Sequence, residues 1–198
     1  MKPIILASKS PRRIKTLKDL KIPFKCIPSE YEEQKYDKSK FTPEEYALHN
    51  AREKAYDCAK RVKKGIVVGM DTIGEIDANV LGKPDDRKHA REMIKMLRGK
   101  THTVITGICL YDAETKKELS AAEITRVTFH EMTDDEIEMY LDLGMWKDVA
   151  CAYAVQETGA LFIERIEGDY FNIVGFPVFR FGHLMKEFGM PLWNIIKM

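Results

Sequence analysis

Short apolar runs alternate with helix-like segments from the start of the chain. Ile4 to Ala7 forms an apolar run, and apolar residues then recur at helical spacing from Ile14 to Leu20. Ser10 and Pro11 lie between the two, a pair typical of a helix N-cap followed by the first helical residue. This pattern predicts a buried strand, a tight loop and a helix.

The same alternation continues along the rest of the chain. Thr42 and Thr133 each begin a capping box that predicts a helix, and we expect the first of these helices to end at Gly65. A β-branched strand from Ile66 is expected to end at Asp71. The remaining predicted elements are strands over Phe24–Pro28 and Leu161–Ile166, a hairpin over Ile76–Leu81, antiparallel strands over Thr101–Tyr111 and Glu118–His130, and helices over Asp86–Leu97 and Phe176–Phe188. Together they predict an α/β fold with a mixed sheet.

Composition narrows the class of protein. The 198 residues, 44% hydrophobic and 32% charged, predict one globular domain over 1–198. Lys and Arg number 32 against 31 Asp and Glu, so the net charge argues against a nucleic-acid partner. No apolar stretch has the length of a signal peptide or a membrane span, so we expect a cytoplasmic protein without a membrane partner. The widely spaced cysteines are expected to stay reduced.

The segment from Ser8 to Arg13 is a candidate phosphate-binding loop. It joins a predicted strand to a predicted helix, where free backbone N–H groups and the positive end of the helix favour an anion. Ser10, Arg12 and Arg13 add a hydroxyl and two guanidinium groups that suit phosphate oxygens. The alternative is an ordinary helix start with solvated arginines.

Asp71 and Thr72 follow the predicted buried strand directly. Active sites of open α/β sheets gather at the carboxyl ends of strands, where a carboxylate binds a metal or orients water. The alternative is an aspartate that caps a turn. Lys54, Lys83 and Glu33 are further candidates, although each by itself is more typical of a solvated surface.

These segments together resemble the Maf family of nucleotide pyrophosphatases, which is related in fold to inosine triphosphate pyrophosphatases. The resemblance covers nearly the whole chain and keeps the order of the family's motifs. The matching segments are Leu6–Arg13, Ala51–Ala55, Gly69–Thr72, Leu81–Pro84, Leu97–Gly107, Ala152–Gln156 and Ile166–Pro177.

The resemblance implies an elongated mixed sheet with helices, in two lobes around a central cleft. It also implies a divalent cation, Mg²⁺ or Mn²⁺, as cofactor, and often a homodimer. The substrate it implies is a nucleoside triphosphate, hydrolysed to the monophosphate and pyrophosphate as part of house-cleaning of the nucleotide pool.

Individual roles follow from the same motifs. Asp71 matches the proton acceptor, and Asp71 with Glu33 matches the metal-binding carboxylates. The residues that match triphosphate contacts are Ser10, Arg13, Lys54 and Lys83. The residues that match substrate-sorting positions are Arg12, Thr72 and Gln156, and they are similar to the branch that hydrolyses dTTP and UTP.

Two segments depart from the usual motifs. Val149-Ala150-Cys151 stands where the family often has Lys-Ala-Gly, and Arg98 stands where a serine is usual. The first departure lies close to Gln156 and therefore concerns base specificity. Neither departure affects Asp71.

The hypothesis for mechanism is metal-assisted attack of water on the α-phosphorus, with Asp71 orienting or deprotonating the water. Arg12 only donates hydrogen bonds, which favours the carbonyl oxygens of uracil and thymine over the amino group of cytosine. Two alternatives stay open: a nucleotide-binding regulator of septum formation and cell division, and a purine-directed house-cleaning pyrophosphatase.

Overall fold

A computed structural model of the chain describes residues 2–196. The strands are β1 (Ile4–Leu6), β2 (Phe24–Cys26), β3 (Ile66–Ile76), β4 (Asn79–Leu81), β5 (Thr101–Asp112), β6 (Glu118–Phe129) and β7 (Ile163–Glu167). The helices are α1 (Pro11–Asp19), α2 (Pro43–Ala59), α3 (Arg87–Leu97), α4 (Asp134–Asp142), α5 (Tyr170–Val174) and α6 (Val178–Glu187). The predicted α/β class is confirmed.

The strands form a seven-stranded mixed sheet in the order β2-β1-β3-β5-β6-β7, with β4 paired to β3. β1 pairs in parallel with both β2 and β3, whereas β4 and β7 pair antiparallel with β3 and β6. The predicted hairpin between β3 and β4 is confirmed. Its two turn residues, Asp77 and Ala78, both have positive φ, as a tight hairpin turn requires.

The chain divides into two compact units. The first consists of residues 1–71, 106–123 and 175–198, and one of its cores packs α1 and α6 around Ile4, Val68 and Phe176. The second consists of residues 72–105 and 124–174, and its core packs α3 and α4 around Phe129 and Tyr153.

Three predicted helix starts are confirmed, whereas the last helix begins at Val178 rather than at Phe176. Ser10, Thr42 and Thr133 are N-caps, and the two threonines form complete capping boxes with Glu45 and Glu136. These signals were readable because a cap needs only a few neighbouring residues to form.

Several predicted boundaries differ by one or two residues, and two are wrong by more. The second helix ends at Ala59 rather than at Gly65, which instead adopts φ +127° directly before β3. The strand that was expected to end at Asp71 continues to Ile76. Parallel pairing with β1 ends at Val68, but the strand continues as the first arm of the hairpin, which a local pattern does not reveal.

The helix α2 packs unusually close to the sheet. A Cβ atom placed on Gly69 would lie 2.1 Å from the Ala51 carbonyl oxygen, and one placed on Gly107 would lie 2.3 Å from the Ala47 carbonyl oxygen. Small residues on both surfaces therefore let the helix backbone touch β3 and β5. This close approach brings the polar side chains of α2 within reach of β3.

Within residues 2–196, no helix is both long enough and apolar enough to cross a membrane. The four cysteines are free thiols, as predicted, and three of them are buried while Cys26 is exposed. In the last helix, Leu184 and Met185 are buried, whereas Phe179 is 70% exposed.

Candidate active site

Asp71 is the acidic side chain around which other polar groups gather. It lies within β3, and its side chain is only 7% exposed. Lys54 of α2 donates from Nζ to Asp71 Oδ1 at 2.7 Å. Asn50, one helical turn earlier, donates from Nδ2 to Asp71 Oδ2 at 3.0 Å. One helix therefore holds both oxygens of this carboxylate.

A second carboxylate shares the same lysine. Glu33, in the loop before α2, lies 2.5 Å from Lys54 Nζ through its Oε1 atom. The Glu33 side chain is 47% exposed, whereas that of Lys54 is 12% exposed. One ammonium group thus bridges the two carboxylates that the family resemblance assigns to the metal.

Neighbouring charges keep Asp71 ionised. Burial by itself raises the pKa of a carboxyl group, because it removes the charged form from water. Here the Lys54 ammonium, the hydrogen bonds from Lys54 and Asn50, and the charge of Arg13 outweigh burial and hold the pKa of Asp71 below its ordinary value. At neutral pH Asp71 is therefore a carboxylate that accepts hydrogen bonds and does not donate them.

Arg13 ties together three separate segments of the chain. Its Nε atom donates to the Gly175 carbonyl at 2.7 Å, and Nη1 donates to the Met70 carbonyl at 3.0 Å and to the Ser8 hydroxyl at 3.3 Å. Burial lowers the pKa of Arg13, but an arginine remains protonated. The sequence predicted Arg13 as a phosphate ligand. The structure adds a scaffolding role beside Asp71.

The loop between β1 and α1 is organised by its own hydroxyl groups. Ser8 Oγ accepts from the Ser10 N–H at 3.2 Å, and Ser10 Oγ accepts from the Arg13 N–H at 3.5 Å as the cap of α1. Arg12 is half-buried, and its carbonyl accepts from the Thr16 hydroxyl at 3.0 Å. The loop therefore presents the positive end of a capped helix, which suits a phosphate group.

Tyr46 anchors the segment that carries Glu33. The Tyr46 hydroxyl donates to the Gln34 carbonyl at 2.5 Å, and its ring contacts Tyr36 in a T-shaped pair. Since Gln34 directly follows Glu33, this hydrogen bond restrains the loop at the point where Glu33 meets Lys54.

The other predicted site residues belong to the second unit. Thr72 is half-buried in β3, Lys83 is exposed after β4, and Gln156 is exposed after a buried segment. The Cys151 N–H donates to the Gly82 carbonyl at 3.0 Å. This bond ties the segment that leads to Gln156 to the one that carries Lys83.

The backbone at Cys151 has the conformation that favours the glycine of the family motif. Cys151 and Ala152 both have φ +61°, a conformation that costs an L-residue about 1–2 kcal/mol and that glycine adopts freely. A Cβ atom on Gly74 would lie 2.0 Å from Cys151 Sγ. The cysteine side chain therefore occupies space that Gly74 leaves open.

The carboxylate pair could hold a magnesium-type cation only with further ligands from outside the protein. Within residues 2–196, no group of three or more His, Cys, Asp and Glu side chains could hold a metal ion by itself. Mg²⁺ is usually held by one or two carboxylates together with substrate phosphates and water. Asp71 and Glu33, which converge on Lys54 Nζ, match that smaller protein contribution.

Two site residues were missed by reasoning from the sequence. Asn50 contacts Asp71 directly, and Tyr46 restrains the Glu33 loop. Both lie on the same helix face as Lys54, at successive intervals of four residues. That spacing was a readable signal, because residues four apart are neighbours on a helix surface.

Comparison with known proteins gives a consistent picture. A family model described as Maf-like protein matches residues 3–188. The chain is 43% identical over 186 residues to the dTTP/UTP pyrophosphatase of Carboxydothermus hydrogenoformans, covering 94% of this chain and 98% of that protein. Proteins of the same name from Ruminiclostridium cellulolyticum and Pyrococcus furiosus are 45% and 41% identical, each over 94% of this chain, and over 96% and 99% of their own lengths.

A more distant similarity is to the solved structure of a nucleoside-triphosphatase / dITP/XTP pyrophosphatase from Mycobacterium abscessus. That match has 13% identity and a TM-score of 0.37, and covers 66% of this chain and 75% of that one. A TM-score this low does not establish a shared fold, so the relationship to inosine triphosphate pyrophosphatases stays a prediction.

Proposed function

Because the chain belongs to the Maf-like protein family, we propose that it is a nucleoside triphosphate pyrophosphatase that hydrolyses dTTP and UTP to the monophosphate and pyrophosphate. The relatives named above carry that activity in their names over nearly their whole lengths. In this proposal the protein removes unwanted pyrimidine triphosphates from the cytoplasmic nucleotide pool.

The observation that carries the proposal is the buried carboxylate of Asp71, kept ionised beside Lys54 and Glu33. The two carboxylates that share the Lys54 ammonium provide a charged acceptor for water. They also provide a pair of oxygen ligands for a metal ion. A protein that only binds nucleotides does not need a carboxylate pair where phosphates are expected. The arrangement therefore favours a hydrolase over a regulator that acts only through partners.

In the proposed mechanism, Asp71 orients the water that attacks the α-phosphorus. A carboxylate with a lowered pKa is a weak base at neutral pH, so orientation is its larger contribution. Lys54 and Arg13 provide positive charge beside Asp71, which stabilises the negative charge that builds up as pyrophosphate leaves. The predicted roles of Ser10 and Lys83 as further phosphate contacts are part of the same proposal.

A divalent cation, Mg²⁺ or Mn²⁺, fits on Asp71 and Glu33 and would supply Lewis-acid polarisation of the phosphate. For the cation to bind, the Lys54 ammonium has to move off at least one of the two carboxylates. Glu33, with its half-exposed side chain, is the partner that gives way most easily.

Base selection in the proposal rests on Arg12, Thr72 and Gln156. The Arg12 guanidinium is a donor only, so it suits the carbonyl oxygens of uracil and thymine. The Gln156 amide offers both a donor and an acceptor, which matches the N3–H of these bases and a neighbouring carbonyl. The homodimer that the family resemblance implies is likewise carried as a prediction.

The test is a panel of nucleoside triphosphates with pyrophosphate detection, run with and without Mg²⁺. We expect dTTP and UTP to be turned over fastest, CTP and purines much more slowly, and all turnover to fall when the metal is chelated. Fastest turnover of a purine triphosphate would point to the purine-directed alternative. Absence of pyrophosphate release from every nucleotide would leave the regulator of septum formation as the better hypothesis.

A further inference from the structure

A line of polar side chains runs along one face of α2 above the candidate active site. Tyr46, Asn50 and Lys54 follow each other at intervals of four residues. Tyr46 binds the Gln34 carbonyl, Asn50 binds Asp71, and Lys54 binds Asp71 and Glu33. The mechanism proposed above assigns no role to Asn50.

The orientation of the Asn50 amide is decided by chemistry. An ionised carboxylate only accepts hydrogen bonds, so the group that faces Asp71 Oδ2 at 3.0 Å has to be the NH₂ of Asn50. The carbonyl oxygen is the other polar atom of the same planar group. Fixing Nδ2 on the carboxylate therefore also fixes the position of Oδ1.

The Asn50 carbonyl oxygen is left without a protein partner. Asn50 is fully buried, and its Oδ1 has no hydrogen-bond partner among residues 2–196. A buried polar atom in that condition costs a folded protein about 1–3 kcal/mol. The Asn50 amide thus combines one satisfied donor, on Asp71, with one unsatisfied acceptor.

Small residues set the close approach of α2 to the sheet, with Ala47 and Ala51 against Gly107 and Gly69. Both alanines are near position 50 in the sequence. The hydrogen bond from Asn50 to Asp71 spans the short distance between helix and strand that these residues leave.

We propose that Asn50 is a positioning residue for Asp71, and that its Nδ2 donor fixes the plane in which the Asp71 carboxylate orients water; the proposal rests on the pyrophosphatase activity proposed above. With Lys54 on Oδ1 and Asn50 on Oδ2, both oxygens of the Asp71 carboxylate are held and the group has one fixed plane.

The test is the substitution Asn50→Leu, which keeps the approximate shape and removes both polar atoms. We expect kcat for dTTP to fall about 10- to 100-fold, the range typical of residues that orient a catalytic group. KM should change less than about threefold, because binding of the phosphates is untouched. The melting temperature should fall, since the buried Asp71 Oδ2 loses its donor.

A matched control is Asn172→Leu, the same change at another fully buried asparagine. Asn172 donates from Nδ2 to the Val104 carbonyl at 3.0 Å and to the Thr125 hydroxyl at 2.9 Å. Its replacement leaves buried acceptors without their donor, so the melting temperature should fall. Both variants should therefore lose stability, and a loss of kcat confined to Asn50→Leu would separate a positioning asparagine from a structural one.

A kcat for Asn50→Leu within about twofold of the wild type would overturn the proposal. If that variant does not fold, Asn50→Ala is judged by the same kcat and KM criteria, because the smaller side chain also removes both polar atoms. The contact itself is measured separately by NMR of the Asn50 side-chain NH₂, identified by its absence from the spectrum of a substituted variant. That signal should exchange slowly with solvent and shift in Asp71→Asn, and an unshifted signal would also refute the proposal.

These measurements distinguish failure of the proposed pyrophosphatase function from failure of the positioning role of Asn50. If the wild-type protein releases no pyrophosphate from any nucleotide, the proposed function fails while the NMR measurement still decides whether Asn50 holds Asp71. If the wild type is active and Asn50→Leu is equally active, the function stands and the positioning role fails.

Discussion

Lys54 forms ion pairs with two carboxylates at once. Its ammonium group pairs with Asp71 at 2.7 Å and with Glu33 at 2.5 Å, and is almost buried. A buried ion pair adds little net stability, but loss of one partner leaves an uncompensated charge that is very unfavourable. Lys54 is therefore better understood as the residue that lets Asp71 stay ionised inside the protein than as a stabilising contact.

At the residue scale we expect Asp71→Asn to abolish most of the activity. The amide keeps the shape but can neither hold a cation as a carboxylate does nor attract the hydrogens of water as strongly. Pyrophosphate release from dTTP with Mg²⁺ should fall by about two orders of magnitude or more. The protein should remain folded, because Lys54 keeps its contact with Glu33.

The control for this experiment is Asp77→Asn, at an exposed aspartate in the hairpin turn. It removes the same charge from the chain, so an unchanged turnover would show that net charge is not responsible. Turnover close to that of the wild type in Asp71→Asn would remove Asp71 from the mechanism.

At the scale of elements, the approach of α2 to β3 is what assembles the candidate site. Gly69 lies under Ala51, so the helix comes close enough for Asn50 and Lys54 to reach Asp71 two positions further along the strand. A side chain at position 69 would hold the helix away from the sheet. The glycine is therefore required by a close backbone approach rather than by a turn.

Gly69→Ala tests this directly. The added methyl group would sit 2.1 Å from a backbone oxygen, which cannot move without shifting the helix. We expect a loss of about 1–3 kcal/mol in the free energy of unfolding, measured by denaturant titration, together with lower turnover.

Gly182→Ala provides a control for which we expect the opposite change in the free energy of unfolding. Gly182 lies inside α6, and the nearest atom to an added Cβ would be a Leu192 methyl carbon at 3.5 Å, an ordinary contact. Alanine is favoured over glycine in a helix interior by about 0.5–1 kcal/mol, so this variant should be more stable. Equal effects of the two substitutions would contradict the close-approach argument.

At the scale of the whole molecule, each unit has its own apolar core, and the second core contains a buried histidine. His102 is 2% exposed and lies edge-on to Phe129 and Tyr153. Its Nε2 atom is 2.8 Å from the Tyr153 hydroxyl, and burial lowers the pKa of His102 to about 4. The folded protein therefore keeps this imidazole neutral.

This histidine should make the protein sensitive to mild acid. Between pH 6.5 and about pH 4 the unfolded chain binds a proton at His102 that the folded protein does not bind. The free energy of unfolding should therefore fall as the pH is lowered through that window, by up to about 3 kcal/mol from this group. Denaturant titrations of the wild type and His102→Gln across this range measure the effect, and parallel curves for the two proteins would refute it.

Local signals in the sequence predicted the elements well and their limits less well. Capping residues such as Thr42 and Thr133 act within one helical turn, so the starts of the helices that they cap were correct. The ends of β3 and α2 were wrong, because pairing with β4 and packing against the sheet extend or end an element irrespective of its own pattern. Asn50 was overlooked because its partner is distant in the sequence.

The chain by itself determined the α/β class, the helix starts and, through its ordered motifs, the family and the acidic residue at the centre of the candidate site. Those properties depend on neighbouring residues or on motif identity. Only the tertiary structure decided that Lys54 bridges Asp71 and Glu33, that Arg13 ties three segments together and that Asn50 holds the second carboxylate oxygen. The reason is that each of these contacts joins residues far apart in the chain, and their geometry depends on how closely one helix packs against one strand.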